Sequence, residues 1–272
     1  MDVKNLESKF VRLGARARCR NVGRPDWSWR PGLFRIDIGS DRRGEFFDIR
    51  ASADADVSVL DVQPRDRHLL MMVRHPASRP REPEQKEKIL CGHDERHWFA
   101  AGIPATAPVG TVAAAKEALK PDLVRQLESG IRGKRDRRNR RKTATFVRQG
   151  EWFFIPEPNL VVDRSVVLRN EPLRRGAGKP HHCEQLYRLH GTLVYVSHEY
   201  PDGLTESEHR ELTRRRPEAA RYGWGVMLRN PSVYVRGRVT HKDHATIRLE
   251  DWHRVLMNTE GQTNSASVAF LD

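Results

Sequence analysis

Four residues near the C-terminal end of the chain carry side chains suited to phosphodiester chemistry: His241, Asp243, His244 and His253. An imidazole can take a proton from water or hold a divalent metal, and a carboxylate can orient either group. His93 is a further imidazole that could assist them. These residues give one hypothesis, a metal-dependent nuclease or phosphodiesterase.

The segment His241-Lys-Asp-His244, with His253 and Asn258 downstream, resembles the histidine and asparagine of ββα-metal nucleases over a handful of residues. The resemblance implies that an imidazole deprotonates water while a metal neutralises the phosphate. The alternative is that these histidines lie in the solvent-facing turn of a β-hairpin, since no metal-binding helix is expected after them. Both interpretations stay open.

A second group of donors could hold zinc. Cys91 and His93 are two residues apart, and His182 and Cys183 are adjacent, so thiolate and imidazole ligands for a tetrahedral ion are present in the sequence. Cys-x-His is not a standard ligand pair, and the chain has no Cys-x-x-Cys. The alternative is a buried thiol beside a polar turn.

The densest charge in the chain lies between residues 132 and 142, where eight basic residues accompany one acid, Asp136. Such a segment attracts a phosphate backbone through counterion release. We therefore expect a nucleic acid as the partner; a solvated loop, or contact with an acidic protein or lipid surface, is the alternative. The basic residues are Arg132, Lys134, Arg135, Arg137, Arg138, Arg140, Arg141 and Lys142.

A shorter basic segment combines glycines, which leave backbone amides uncovered, with Arg174, Arg175 and Lys179. This composition suits a second phosphate contact, and a flexible basic turn is the alternative. It lacks the Walker spacing, and the chain has no dinucleotide fingerprint, so no cofactor is expected. Arginine contacts of this kind position a nucleic acid without reading its bases.

The composition supports the same expectation. The formal charge is +13, and residues 121–180 contain fifteen Lys or Arg against seven Asp or Glu. Ten of the 49 basic residues are lysines, so 39 are arginines, which bind phosphates through two parallel hydrogen bonds. Arginine and aromatic residues also stack on unpaired bases, which favours RNA slightly over DNA. A subunit of a ribonucleoprotein or protein complex is a related possibility.

The three cysteines are too few and too scattered for a disulfide framework, which favours a reducing cytoplasm. The N-terminal residues have no apolar stretch typical of a secretory signal. The longest uncharged run, residues 98–115, contains prolines and glycines, so no membrane span is expected.

Short β-branched or aromatic runs separated by polar turns predict a sheet-rich α+β protein, mostly antiparallel, with a curved sheet or small barrel and a few short helices. The predicted strands include residues 34–38, 45–49, 57–62, 68–73, 88–91, 97–100, 192–196, 233–239, 245–249 and 252–257. A strand, a turn at residues 149–150 and another strand are expected within residues 145–156. The segment from His182 to Leu189 is expected to be a short helix or turn.

The expected organisation is an N-terminal β-rich part, residues 1–156, and a C-terminal α+β part, residues 157–272. The alternative is that both parts belong to a single large domain. The first would contain helices between residues 111 and 128, with Thr111 as a cap, and the basic loop at 131–142. In the second, Thr205 and Glu208 have the spacing of a capping box, which predicts a helix extending to about Arg215.

Overall fold

The computed structural model describes residues 2–22, 34–52, 55–75, 85–130, 140–174 and 179–260. These residues divide into two compact units, one of residues 2–140 with 258–260 and the other of residues 141–257. The protein is sheet-rich and mostly antiparallel, which confirms the predicted α+β class. None of the described helices combines the length and apolar character needed to cross a membrane.

The described residues of the first unit form two sheets and three α-helices. One sheet has the order β1-β3-β2, with β1 parallel to β3, and the other is the antiparallel series β4-β5-β6-β7. The described strands form open sheets, so the small closed barrel is wrong. The elements are α1 Val3–Val11, β1 Ala17–Val22, β2 Phe34–Asp41, β3 Gly44–Ser52, β4 Asp56–Gln63, β5 His68–His75, β6 Gln85–Asp94, β7 His97–Ile103, α2 Val112–Ala118 and α3 Asp122–Ser129.

Local signals explain much of this unit. Phe47 and Ile49 alternate along β3 into a core that includes Phe10 of α1, because successive residues of a strand face opposite sides of the sheet. The hydroxyl of Thr111 accepts a hydrogen bond from the amide of Ala114 at 3.2 Å, as predicted for the cap of α2.

In the part of the second unit that the structure describes, a six-stranded antiparallel sheet has the order β10-β11-β14-β15-β9-β8 and is accompanied by the pair β12-β13 and one α-helix. β9 pairs with β15, and both strands belong to this unit, which begins before β8. The elements are β8 Val147–Gln149, β9 Trp152–Pro156, β10 Leu168–Leu173, β11 His181–Leu189, β12 Thr192–Val196, α4 Glu206–Arg215, β13 Gly225–Arg229, β14 Ser232–Thr240 and β15 Ile247–Met257.

Two predictions for this unit are wrong. The expected helix or turn at residues 182–189 is the strand β11, because the segment pairs with both β10 and β14. Residues 252–257 are not a separate strand but the second half of β15. The predicted hairpin of β14 and β15 and the capping box of Thr205 and Glu208 are confirmed.

The six-stranded sheet has two different faces. On the inner face, Val233, Val235, Leu249 and Val255 pack into a core with Trp152. The outer face carries the alternate residues of the same strands, many of them arginines and aromatics. The sheet therefore presents one apolar face to the core and one polar face, as is common for antiparallel sheets.

Candidate histidine site and basic sheet face

Three imidazoles lie together at one end of the second unit's sheet. His181 begins β11, and His241 and His244 lie in the loop between β14 and β15. The ring of His181 is stacked on that of His241, with centroids 4.1 Å apart and an interplanar angle of 19°. The centroid of His244 is 5.6 Å from that of His181 and 4.7 Å from that of His241.

Pairing of neighbouring strands brings these residues together. His182 lies opposite Thr240, so the start of β11 lies beside the end of β14 where the histidine loop begins. The amide Nε2 of Gln149, at the end of β8, donates to the carbonyl of Ala245 at 2.6 Å. The buried Gln149 side chain thus holds the far end of the same loop.

The turn after β8 approaches the rings closely. Gly150 has φ +59°, and a Cβ at this position would lie 2.9 Å from Nε2 of His244. The left-handed conformation and this close approach both favour glycine. The predicted turn at residues 149–150 therefore also forms one side of the histidine site.

His181 has an unusual environment for an imidazole. Its side chain is buried, with the residue only 1% exposed, and neither ring nitrogen has a hydrogen-bond partner in the described part of the chain. Burial, followed by the nearby His241 and His244, lowers its pKa to about 3. His181 is therefore neutral at physiological pH, and one of its nitrogens carries an available lone pair.

A second set of contacts orders the histidine loop. Nδ1 of His241 accepts a hydrogen bond from the amide of Asp243 at 3.1 Å. The carboxylate of Asp243 forms an ion pair with Lys179, with Nζ and Oδ2 2.6 Å apart. The segment preceding β11 and the loop after β14 are thereby joined beside the three rings.

The nitrogens of His181, His241 and His244 lie within 4.8 Å of one another, and no other group of three potential metal ligands is this compact in the ranges that the structure describes. Each imidazole can offer one nitrogen to a cation, so the arrangement is suited to a transition metal.

Two of the four predicted catalytic candidates, His241 and His244, belong to this group, and Asp243 lies between them in the loop. His253 is outside the group: it is buried in β15, where its Nδ1 donates to the carbonyl of Asp251 at 2.8 Å. His181 lies next to the predicted ligands His182 and Cys183 but was not itself among the predicted site residues. In β11, His181 and Cys183 are buried and His182 between them is exposed, so His181 is the imidazole that faces the site.

The four predicted zinc ligands belong to two different units, Cys91 and His93 to the first and His182 and Cys183 to the second. Cys91 is buried in the core of the first unit with its Sγ 3.9 Å from Sδ of Met71, and burial raises the pKa of its thiol. His93 of the same unit packs against Trp98. His182 and Cys183 lie on opposite faces of β11, so these two cannot hold one ion together.

The predicted basic segments are described only in part. Arg140, Lys142 and Arg174 are exposed and form no ion pair with a described carboxylate. The carbonyl of Arg141 accepts from the amide of Arg148 at 2.6 Å, so this end of the basic run lies along β8. Lys179 is paired with Asp243. Arg132, Lys134, Arg135, Arg137, Arg138 and Arg175 lie outside the described residues.

The outer face of the six-stranded sheet is a basic surface that sequence reasoning did not single out. Its aromatic side chains are neighbours: the ring centroid of Tyr187 is 6.0 Å from that of Tyr234 and 6.4 Å from that of Trp252. The guanidinium of Arg236 lies over Trp252, with Cζ 5.2 Å from the ring centroid. Arg254 is paired with Tyr234 across β14 and β15.

The charge of this face is positive. Strand register places five arginines on it, and two glutamates partly balance them: Glu184 contacts Arg238 at 3.2 Å and Glu250 contacts Arg248 at 3.1 Å. Five positive and two negative charges give a net of +3. We call this set the basic sheet face: Arg169, Tyr187, Tyr234, Arg236, Arg238, Arg248, Trp252 and Arg254, with Glu184 and Glu250.

Comparison of this chain with protein-family models, with curated proteins and with solved structures finds no match.

Proposed function

We propose that this protein binds nucleic acid, with single-stranded RNA favoured slightly over DNA. The observation that carries the proposal is the basic sheet face, where arginines and aromatic rings lie side by side on one surface. A guanidinium can contact phosphate, and a tyrosine ring can stack on an unpaired base.

The aromatic residues supply the stacking part of the argument. Tyr187 and Tyr234 are each half-buried, so one side of each residue is held by the sheet and the other is accessible. Stacking on an aromatic side chain contributes about 1–3 kcal/mol per base and tolerates any base. This surface therefore suits an unpaired strand better than the closed stack of a duplex.

The arginines supply the phosphate contacts. Arg169 and Arg254 form no ion pair with any carboxylate of the described ranges, so their positive charges are not neutralised there. Arg140, Lys142 and Arg174 are exposed, and they also form no ion pair with a carboxylate of the described residues. We propose that the basic run at 132–142 and the segment at 174–179 add further contacts that do not depend on sequence.

Fluorescence anisotropy with a labelled single-stranded RNA and the matching DNA tests the proposal. Tyr234→Ala should weaken binding about 5- to 150-fold, which corresponds to the loss of about 1–3 kcal/mol of stacking. The double variant Arg236→Gln/Arg254→Gln should weaken binding at low salt more than at high salt.

The matched control is Arg210→Gln/Arg214→Gln on α4, which removes the same charge from side chains that are paired with Glu206 and Glu211. The affinity of this control variant for the labelled nucleic acids should stay close to that of the original protein. Equal loss in both double variants would mean that only net charge matters, and affinity independent of salt would contradict phosphate binding altogether.

A second candidate function is metal-dependent hydrolysis of a phosphodiester, favoured by the convergence of His241 and His244 with His181. His181, His241 and His244 would hold the metal, which would supply a bound water of lowered pKa as a nucleophile for a phosphodiester. Labelled nucleic acid incubated with magnesium, manganese or zinc, then with chelator, tests this candidate. If the substrate stays intact with every metal, hydrolysis is excluded and nucleic-acid binding remains as the proposed function.

We further propose that the protein acts in the cytoplasm, where the buried free thiols Cys19, Cys91 and Cys183 would stay reduced. Assembly into a ribonucleoprotein complex is consistent with a surface that does not read bases. Size-exclusion chromatography of the purified protein before and after nuclease treatment would detect such an assembly as a shift to smaller size.

A further inference from the structure

We propose that His181, His241 and His244 form a zinc site with three protein ligands and one position open to water. This inference does not depend on nucleic-acid binding. The hydrolytic candidate depends on it, but zinc can be bound without any hydrolysis.

The environment of His181 is the first reason to expect a ligand. Burying a polar group without a hydrogen bond is unfavourable, and buried polar atoms in proteins nearly always have partners. Both nitrogens of His181 lack one among the described residues, although the ring is only 1% exposed. Its contacts with the rings of Trp152 and His241 account for its packing but not for its nitrogens.

The type of donor selects the ion. The compact group contains imidazoles and no carboxylate, so it suits zinc, copper or nickel rather than magnesium or calcium, which prefer oxygen. Three histidines with an open fourth position are a recurrent arrangement for zinc.

The distances require a modest rearrangement. Two nitrogen ligands of a tetrahedral zinc lie about 3.4 Å apart, given bonds of about 2.0 to 2.1 Å. The nitrogens of the group lie within 4.8 Å of one another, so the rings must move closer by little more than the length of a bond. Since a metal lies near the plane of each ligating ring, the stacked rings must also rotate.

The positions of the three residues allow this movement. His181 is fixed in a strand, whereas His241 and His244 lie in a loop and can rotate toward it. Nδ1 of His241 now accepts from the amide of Asp243, and binding of the ion through Nδ1 would replace that hydrogen bond. Lys179 and Asp243 would remain beside the site as an ion pair.

The fourth position is assigned to water because the nearest thiol is unsuitable. Cys183 is buried two residues after His181, its Sγ lies 3.9 Å from the carbonyl oxygen of His181, and its pKa is raised to about 12 by burial. It is not part of the compact group. An open position distinguishes this site from a closed structural zinc site with four protein ligands.

Zinc binding is tested on tag-free full-length protein, stripped with a chelator and titrated with zinc against a chromophoric competitor. We expect one zinc per chain. His241→Ala and His244→Ala should each lower the affinity for zinc at least about 100-fold. Even the loss of a residue that only hydrogen-bonds to a metal ligand typically lowers metal affinity 10- to 100-fold. The matched control is His182→Ala, an exposed neighbour of His181, which should bind zinc normally.

Cobalt substitution of the original protein provides a readout that does not depend on the variants. Intense visible absorption of four-coordinate cobalt that is displaced by zinc supports the proposal. The absence of zinc binding, equal affinity in His244→Ala and the original protein, or binding of copper but not zinc would each overturn it. None of these results depends on whether RNA binds, so failure of the zinc site and failure of the proposed function are distinguishable.

Discussion

Each unit of the protein places three histidines around a β-hairpin, but their nitrogens have different partners. In the first unit, Nδ1 of His97 lies 2.6 Å from Oε1 of Glu45, and Nδ1 of His68 contacts the carbonyl of Asp66. In the second unit, His181 has no such partner in the described residues. Histidines near a hairpin therefore do not by themselves indicate a ligand site; the partners of their ring nitrogens do.

The arginines of the two units differ in a similar way. In the first unit, Arg16 pairs with Asp41 at 2.7 Å, and Arg50 pairs with Asp48 at 2.7 Å. The basic sheet face of the second unit includes Arg169 and Arg254, which have no described carboxylate as a partner. Arginine content alone therefore does not identify a phosphate-binding surface, because carboxylates on the same strands can neutralise it.

The largest effect that we expect is a loss of stability at acidic pH, caused by the buried imidazole of His181. The pKa of His181 is about 3 in the folded protein, below its unfolded value, so the unfolded chain binds the proton more tightly. With a chelator present, the free energy of unfolding should decrease as the pH falls from about 6.5 towards 3. His181 alone should lower the free energy of unfolding by about 2 kcal/mol when the pH falls from 7 to 5.

Denaturant titrations at several pH values measure this effect. His181→Phe, which keeps a ring against Trp152, should lose the part of this dependence that His181 contributes between pH 7 and pH 5, about 2 kcal/mol. His182→Gln, an exposed neighbour, should keep it. Identical pH profiles for His181→Phe and the original protein would contradict the assignment of a buried neutral imidazole to His181.

A smaller effect is expected from the turn that contacts the histidine site. Gly150→Ala should destabilise the protein by about 1–2 kcal/mol, because alanine is strained at positive φ. The new methyl group should also push the ring of His244 aside and weaken zinc binding. Gly102→Ala is the control, because it lies in a strand of the first unit with open space around its Cβ position.

Thermal unfolding measures the stability of the two glycine variants, and zinc titration measures their affinity for zinc. Gly102→Ala should change the free energy of unfolding by no more than about 0.5 kcal/mol. If Gly150→Ala binds zinc as well as Gly102→Ala does, the turn does not shape the site.

The smallest effect is expected for single arginines. Arg254→Gln should reduce the slope of log affinity for single-stranded nucleic acid against log salt by about 0.7, the value for one lost phosphate contact. Arg50→Gln in the first unit should leave the slope unchanged, because Arg50 is already paired with Asp48. Equal slopes for the two variants would remove the proposed distinction between paired and unpaired arginines.

Much of the fold was predictable because local patterns determine it. The two-residue alternation of β14 and the capping box of α4 each specify their element without distant contacts. β11 was not predictable in this way. It contains no β-branched residue. Its extended form depends on pairing with the preceding strand β10 and with β14, which is distant in sequence.

The sites were predictable only in part for the same reason. His241 and His244 are close in sequence and were recognised as a pair. Which of the adjacent His181 and His182 faces inward depends on the register between β11 and β14, which the sequence does not display. The arginines of the basic sheet face come from separate strands, so they form one surface only after the sheet has assembled.

The difference between the two histidine-containing hairpins can be measured by X-ray diffraction on either side of the zinc absorption edge, from crystals grown with one equivalent of zinc. We expect a single anomalous peak among the rings of His181, His241 and His244, and none beside His68, His93 and His97. A zinc-free histidine site in the second unit, or zinc bound at the hairpin of the first unit instead, would contradict this expectation.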